Sequence, residues 1–110
     1  MKEINIADSP TFFVMQIRET LRTVLDPELN INIIDLGLVY DIEVELVQKL
    51  IGITMTLSSR YCPMGEAILQ SVRNCLEQHY SGFEIAVHLT WEPQWSYESI
   101  SEEGLKQLRG

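Results

Sequence analysis

The sequence predicts an α+β fold, a two-layer α/β sandwich with its elements in the order α-β-β-α-β and a short C-terminal helix. Two stretches carry apolar residues at helical spacing, and three stretches alternate apolar and polar residues as half-buried strands do. A turn separates the first two strands and a helix separates the second from the third. We therefore expect the third strand to run parallel to the second through a right-handed crossover, in a mixed three-stranded sheet with both helices on one face.

The first helix is predicted to begin at Pro10, with Ser9 as its N-cap, and to end at about Leu25. Pro27 sets the end because a proline disfavours helical geometry in the residue before it. A long irregular loop over residues 26–37 should follow, and long loops in small domains often carry function.

Two strands at residues 38–46 and 50–57, joined by a turn at 47–49, are predicted to form a hairpin. The second helix should run from Pro63 to about His79 and the third strand from Phe83 to Trp91. A short last helix follows Ser101, whose neighbours suggest a capping box. The buried stripe expected on the second helix is Met64, Ala67, Ile68, Ser71, Val72, Cys75 and Leu76.

Composition favours one domain over residues 1–110, since 45% of the residues are hydrophobic and 22% are charged. No apolar stretch is long enough to span a membrane and the N-terminus lacks a signal-peptide core, so a cytoplasmic location is expected. Only eight Lys and Arg are present, scattered along a chain of net charge −8. This charge disfavours nucleic acid and anionic membranes as partners and favours a cation or a protein with a basic patch.

Cys62 precedes Pro63 where the second strand gives way to the second helix. If Pro63 is the first helical residue, Cys62 lies at the N-cap, where free backbone N–H groups and the helix dipole favour a thiolate. Such a thiolate is a nucleophile or a metal ligand, whereas the alternative is a small, half-buried spacer residue. Cys75 lies within the apolar stripe and is predicted to be core. The spacing of the two cysteines rules out a Cys-x-x-Cys motif.

Asp26 and Asp35 bracket the long loop, and each also has a purely structural explanation in helix termination or turn chemistry. The loop before the first strand and the loop after the second can lie at the same end of the hairpin. A carboxylate, the Cys62 thiolate and a helix N-terminus would then converge, which suits a soft or borderline metal or a labile cluster held between two chains. His79 should complement the helix dipole and His88 should be solvated, so a Cys/His hydrolase has no support.

Several segments together resemble the SufT/PaaD-like family of small iron–sulfur cluster assembly proteins. The segments are Asp26-Pro27-Glu28-Leu29, residues 34–40, Thr54-Met55-Thr56-Leu57 leading to Cys62-Pro63-Met64-Gly65, and the tail at residues 91–95 and 100–104. The resemblance covers nearly the whole chain from about Phe12. One departure is that residues 57–61 contain no proline, whereas family members often place one before the cysteine.

The resemblance implies a non-enzymatic accessory factor in iron–sulfur cluster assembly or delivery to apo-proteins. It implies Cys62 as the ligand of iron or of a transient iron–sulfur cluster, with Asp26, Glu28, Asp35 and Thr56 as the supporting site. The implied partners are iron–sulfur assembly proteins and apo-protein clients. Because one chain offers one good thiolate, a cluster bridging a homodimer is expected.

Two alternatives to this function stay open. One is a protein–protein adaptor that never binds metal, and the other is a non-catalytic subunit of a phenylacetate-type oxygenase system. The cysteine-rich C-terminal segment seen in PaaD does not follow the resembling region, so a general assembly role is expected over the phenylacetate one.

Overall fold

The computed structural model describes residues 10–58 and 65–109. The helices are α1 (Pro10–Leu21), α2 (Gly65–His79) and α3 (Glu102–Arg109), with a 3-10 turn at Tyr97–Ser99 before α3. The strands are β1 (Leu25–Asp26), β2 (Ile31–Asn32), β3 (Val39–Glu45), β4 (Leu50–Met55) and β5 (Glu84–Leu89). The predicted α+β class is confirmed, and the predicted helices and strands occur in the predicted order. Among the described residues, no helix combines the length and the hydropathy that crossing a lipid bilayer requires.

The main sheet has the strand order β3-β4-β5. β3 pairs antiparallel with β4, and β5 pairs parallel with β4, so the predicted parallel pairing of the third strand of the sheet with the second is confirmed. The alternating apolar residues of the second predicted strand, Ile51, Ile53, Met55 and Leu57, are all buried. β1 and β2 form a separate two-stranded antiparallel pair that the sequence did not predict.

The predicted end of the first helix at Leu25 is wrong, since α1 ends at Leu21. A tight turn follows, in which the N–H of Val24 donates to the carbonyl of Leu21 at 3.0 Å. The chain then becomes extended because the N–H of Ile33 donates to the carbonyl of Val24 and β1 pairs with β2. This pairing leaves Leu25 49% exposed, although it continues the helical periodicity. The proposed Ser9 cap lies outside the described residues.

Residues 26–37 are predicted as an irregular loop, but much of this segment belongs to the core. Ile31, Ile33 and Leu36 are almost completely buried, and the β1–β2 pair closes the segment into a compact turn. A segment that buries apolar side chains on this scale cannot move freely over the surface. It therefore supplies a rigid base for the polar side chains that it carries.

The described part of α2 buries the central residues of the predicted stripe: Ile68, Val72, Cys75 and Leu76. Ala67 and Ser71 are exposed, so the buried stripe is narrower than predicted. The predicted start at Pro63 and the stripe residue Met64 lie outside the described residues. On β5, Ile85 is buried but Leu89 is 41% exposed, because β5 is an edge strand that the helices cover only in part.

Candidate functional site

One end of the sheet gathers the segments that the sequence singled out. β3 begins there and β4 ends there, since Val39 pairs with Met55 and the N–H of Thr56 donates to the carbonyl of Leu38 at 2.8 Å. β5 ends at the same place, where the N–H of Thr90 donates to the carbonyl of Met55. We call this edge the site end of the sheet. The start of β3 and the end of β4, from which the two predicted loops extend, thus lie side by side.

The loop of residues 26–37, which we call the acidic loop, is tied to the site end by a series of backbone hydrogen bonds. The N–H of Ile33 donates to the carbonyl of Val24, the N–H of Leu38 to the carbonyl of Ile33, and the N–H of Thr56 to the carbonyl of Leu38. Each bond is about 3 Å long. The segment that carries Asp26 is therefore held in register with the end of β4.

Cys62 lies outside the described residues, as do Pro63 and the predicted N-cap geometry. The residues on either side of this segment, however, are described and lie in contact. A Cβ built on Gly65, the first described residue of α2, would lie 2.7 Å from Cδ1 of Leu57. The end of β4 and the start of α2 therefore lie next to each other.

Asp26 is buried and makes a tight Asx turn. Its Oδ1 accepts hydrogen bonds from the N–H groups of Glu28 at 2.8 Å and Leu29 at 3.2 Å, which orders the exposed Glu28 backbone. Asp26 is only 1% exposed, and its buried Oδ2 accepts no hydrogen bond from the described residues. A buried carboxylate oxygen without a donor is costly, so this oxygen is a candidate ligand or acceptor.

Asp35 has a different environment, because both of its oxygens are engaged. Oδ1 accepts hydrogen bonds from Nη1 of Arg22 at 2.7 Å and from Oγ of Ser101 at 3.0 Å, and Oδ2 accepts one from Nδ2 of Asn32 at 2.7 Å. The Asp35 N–H donates in return to Oδ1 of Asn32. We call these four residues the Asp35 clasp. A role for Asp35 as a ligand stays a prediction, while its observed contacts join three parts of the chain.

The hydrogen bonds of the clasp decide the ionisation of Asp35. Burial alone would raise the pKa of its carboxyl, but hydrogen bonds from Asn32, Arg22 and Ser101 and the charge of Arg22 together lower it. The pKa of Arg22 is raised in turn, mainly by its hydrogen bond to Asp35. Asp35 is therefore a carboxylate that is stabilised within the protein by its donors.

Sequence reasoning missed Arg22, Asn32 and Ser101 as partners of Asp35. Ser101 gave a signal, because the predicted cap is present: the N–H of Gly104 donates to Oγ of Ser101 at 3.1 Å. In a complete capping box, a Glu or Gln at the third helical position accepts a hydrogen bond from the N–H of the cap residue. That position is Gly104 here, so this second hydrogen bond is absent. The Ser101 hydroxyl instead donates to Asp35, a contact that spans 66 residues and has no local signature.

The tail after β5 packs over the acidic loop as a strap, which we define as residues 93–101. Nε1 of Trp95 donates to the carbonyl of Leu36 at 2.6 Å, and the N–H of Ser101 donates to the carbonyl of Asp35 at 2.7 Å. The hydroxyl of Tyr40 donates to the carbonyl of Pro93, and burial raises the pKa of this tyrosine. The strap thus fixes the loop from outside.

The remaining candidates have structural surroundings. Cys75 is buried as predicted, with its Sγ 3.6 Å from Oγ1 of Thr23. His79 lies exposed in the last turn of α2, with Nδ1 2.8 Å from the carbonyl of Cys75, and His88 is exposed on β5. Thr56 is buried beside Leu38. Residues 10–58 and 65–109 contain no group of three His, Cys, Asp or Glu side chains that could hold a metal ion.

Replacing Asp35 by Asn should reduce the free energy of unfolding by about 1–3 kcal/mol near neutral pH, because charged hydrogen bonds are lost. The folded-state pKa of Asp35 is depressed, so its contribution is complete above the ordinary value of 3.8 and disappears as pH falls through the folded value. Urea titrations at several pH values should therefore show the two proteins converging in acid. A difference in the free energy of unfolding that does not change with pH would contradict this prediction. Replacing the exposed Glu103 by Gln serves as the control.

Replacing Gly37 by Ala should destabilise the protein more than replacing Gly82 by Ala. Both glycines have positive φ, at 76° and 90°, so each substitution carries a conformational cost of about 1–2 kcal/mol. A Cβ on Gly37 would also overlap the carbonyl oxygen of Ser99 in the strap, whereas one on Gly82 would meet nothing within 4 Å. Urea denaturation of the two variants measures the difference. Equal losses in the free energy of unfolding would show that the carbonyl of Ser99 leaves room for a Cβ at position 37.

Comparison with known proteins places the chain among its relatives. A family model described as iron-sulfur cluster assembly protein matches residues 15–88. A Porphyromonas gingivalis protein named Fe-S protein maturation auxiliary factor is 38% identical over 88 residues, which is 80% of this chain and 83% of that protein. The Staphylococcus aureus Fe-S protein maturation auxiliary factor SufT is 37% identical over 78 residues, covering 71% of this chain and 88% of SufT.

A solved structure has the same fold and a similar sequence. The crystal structure of a Domain of Unknown Function DUF59 from Bacillus anthracis superimposes with a TM-score of 0.87 at 36% identity, covering 94% of this chain and 97% of that one. The resemblance inferred from the sequence motifs is thereby confirmed. This chain belongs to the iron-sulfur cluster assembly protein family.

Proposed function

We propose that this protein is a non-enzymatic accessory factor in the assembly of iron–sulfur clusters or their delivery to apo-proteins. Membership of the family supports the general role, and relatives carry names that describe maturation of Fe-S proteins. The observation that carries the proposal is Asp26, a buried carboxylate with one oxygen unengaged by the described residues. It belongs to the loop tied to the end of β4, from which the chain continues to Cys62.

Cys62 is the residue that would hold the cargo, which is iron or an iron–sulfur cluster in transit. It precedes Gly65 by three residues, so covalent geometry keeps their Cα atoms within about 11 Å. Gly65 begins a helix of 15 residues whose free N–H groups and dipole stabilise a negative charge near its start. A thiolate in that field is a good ligand for either form of the cargo.

Asp26 and Asp35 would have different roles in the supporting site. Asp26 has the unengaged oxygen and would complete the site with Cys62. Thr56, just after β4, and Glu28, in the Asx turn, would support it. Asp35 would shape the loop through the clasp. A single thiolate provides too few ligands for a cluster, so a second copy of the chain would supply a second Cys62 thiolate, with the Asp26 carboxylates as further oxygen ligands.

Anaerobic reconstitution with iron and sulfide tests the cargo role. We expect visible absorption of a cluster in the wild type and in Cys75→Ala, and none in Cys62→Ser, because Cys62, and not the buried Cys75, is the thiolate ligand. Size-exclusion chromatography should place the cluster in a species of two chains.

Absence of a cluster in all three proteins would favour the adaptor function without metal. A cluster that stays with a single chain would contradict the bridged homodimer. Thermal unfolding of each variant confirms that its fold is intact before reconstitution.

Alkylation with iodoacetamide tests the state of the thiol. Cys62 should react well below the pH at which an ordinary cysteine, with a pKa of about 8.5, is labelled. Cys75 should stay protected until urea unfolds the protein, because it is buried. Mass spectrometry of tryptic peptides gives the two rates separately. Equal rates in the folded protein would contradict the helix N-terminal position of Cys62.

A further inference from the structure

The three-stranded sheet has a second face that α1 and α2 do not cover. The strand register places Glu45, Leu50 and Glu84 in one row across this face, Glu43, Gly52 and Ala86 in the next, and Asp41, Thr54 and His88 in a third. All nine residues are exposed or half-buried. We call this surface the open face.

A shallow groove lies over the first two rows of the open face. Its cavity of about 390 Å³ is lined by Glu43, Glu45, Leu50, Gly52, Glu84 and Ala86, together with Val44 and Ile51. Gly52 leaves the middle of the central strand without a side chain, and the nearest atom to a Cβ built there is Cβ of Glu43 at 3.9 Å. The floor is therefore small and apolar, formed by Leu50, Gly52 and Ala86.

Carboxylates stand on both sides of this floor. Glu45 and Glu84 flank Leu50 within one row, so their Cα atoms lie about 9–10 Å apart across two strand spacings. Asp41 and Glu43 continue the acidic side along β3. No Lys or Arg among the described residues forms an ion pair with these four acids, since the ion pairs observed there involve Glu19, Asp35 and Glu103.

We propose that the open face is a docking surface for a basic amphipathic helix of a partner protein. A helix with its side chains is about 10–12 Å across, which matches the distance between the two acidic sides. Its apolar stripe would lie on Leu50, Gly52 and Ala86, as α1 and α2 lie on the other face. Lys or Arg beside that stripe would then reach Glu45 on one side and Glu84 on the other.

Charge excludes the other candidate occupants. A second copy of this chain would bring the same four carboxylates to the contact, so the two acidic surfaces would repel each other. Nucleic acid and anionic lipid carry the same sign of charge and would be repelled by a chain of net charge −8. Docking on the open face is a function separate from the proposed cargo role and does not involve Cys62.

A synthetic probe tests the surface directly. The probe is a labelled amphipathic peptide of about 18 residues, or five helical turns, with a Leu and Ala stripe flanked by Lys. An analogue with Glu in place of each Lys is its control. We expect the Lys peptide to bind in fluorescence anisotropy, to weaken as salt increases, and to shift the amide signals of β3, β4 and β5 around Gly52 in NMR spectra.

Matched variants of the full-length protein locate the contact. The pair Glu45→Gln with Glu84→Gln should weaken binding by roughly fivefold, as expected for two solvent-exposed ion pairs. Gly52→Gln should weaken it further by filling the groove without altering the charge. The pair Glu77→Gln with Glu98→Gln makes the same change in net charge at exposed positions elsewhere and should leave binding unchanged.

Three results would overturn the proposal. The first is an equal loss of peptide binding in the two glutamine pairs, and the second is amide shifts confined to other surfaces. The third is self-association in sedimentation, with NMR showing that the open face is buried between the copies. Cys62→Ser should bind the peptide normally while losing the cluster. Failure of docking and failure of the cargo role are therefore separate outcomes.

Discussion

The carboxylate of Asp35 accepts hydrogen bonds from three donors that come from distant parts of the chain: Arg22 just after α1, Asn32 in β2 and Ser101 before α3. A buried charge of this kind is tolerated only when its partners are all in place. Formation of the clasp therefore requires that the end of α1, the acidic loop and the strap reach their positions together. The burial of Ile31, Ile33 and Leu36 under the same loop supplies the apolar contacts that accompany it.

Asp26 and Asp35 differ in chemistry because their surroundings differ. The oxygens of Asp35 are engaged by charged and polar side chains, whereas Asp26 has only backbone donors on Oδ1 and no described donor on Oδ2. Two acids that look equivalent in the sequence thus have separate roles in our proposal. Asp35 holds the loop through its hydrogen bonds, and Asp26 is the carboxylate that would complete the proposed cargo site.

The sheet separates two kinds of surface. Its site end brings together the acidic loop, the end of β4 and the start of α2, with the loop and the strand tied by backbone hydrogen bonds. Its open face is built from the outward residues of β3, β4 and β5 and carries most of its carboxylates on β3. A partner on the open face would leave the site end accessible, so cargo transfer and docking are spatially compatible in this fold.

The sequence by itself determined the order of the elements, the parallel crossover from β4 to β5, the burial of Cys75 and the family resemblance, because each depends on local periodicity or on motifs read along the chain. Only the tertiary structure decided where α1 ends, since the pairing of β1 with β2 overrides a helical pattern that continues to Leu25. It likewise decided the partners of Asp35. The bond from Ser101 to Asp35 spans 66 residues, and no local pattern specifies a contact made by folding the strap back over the loop.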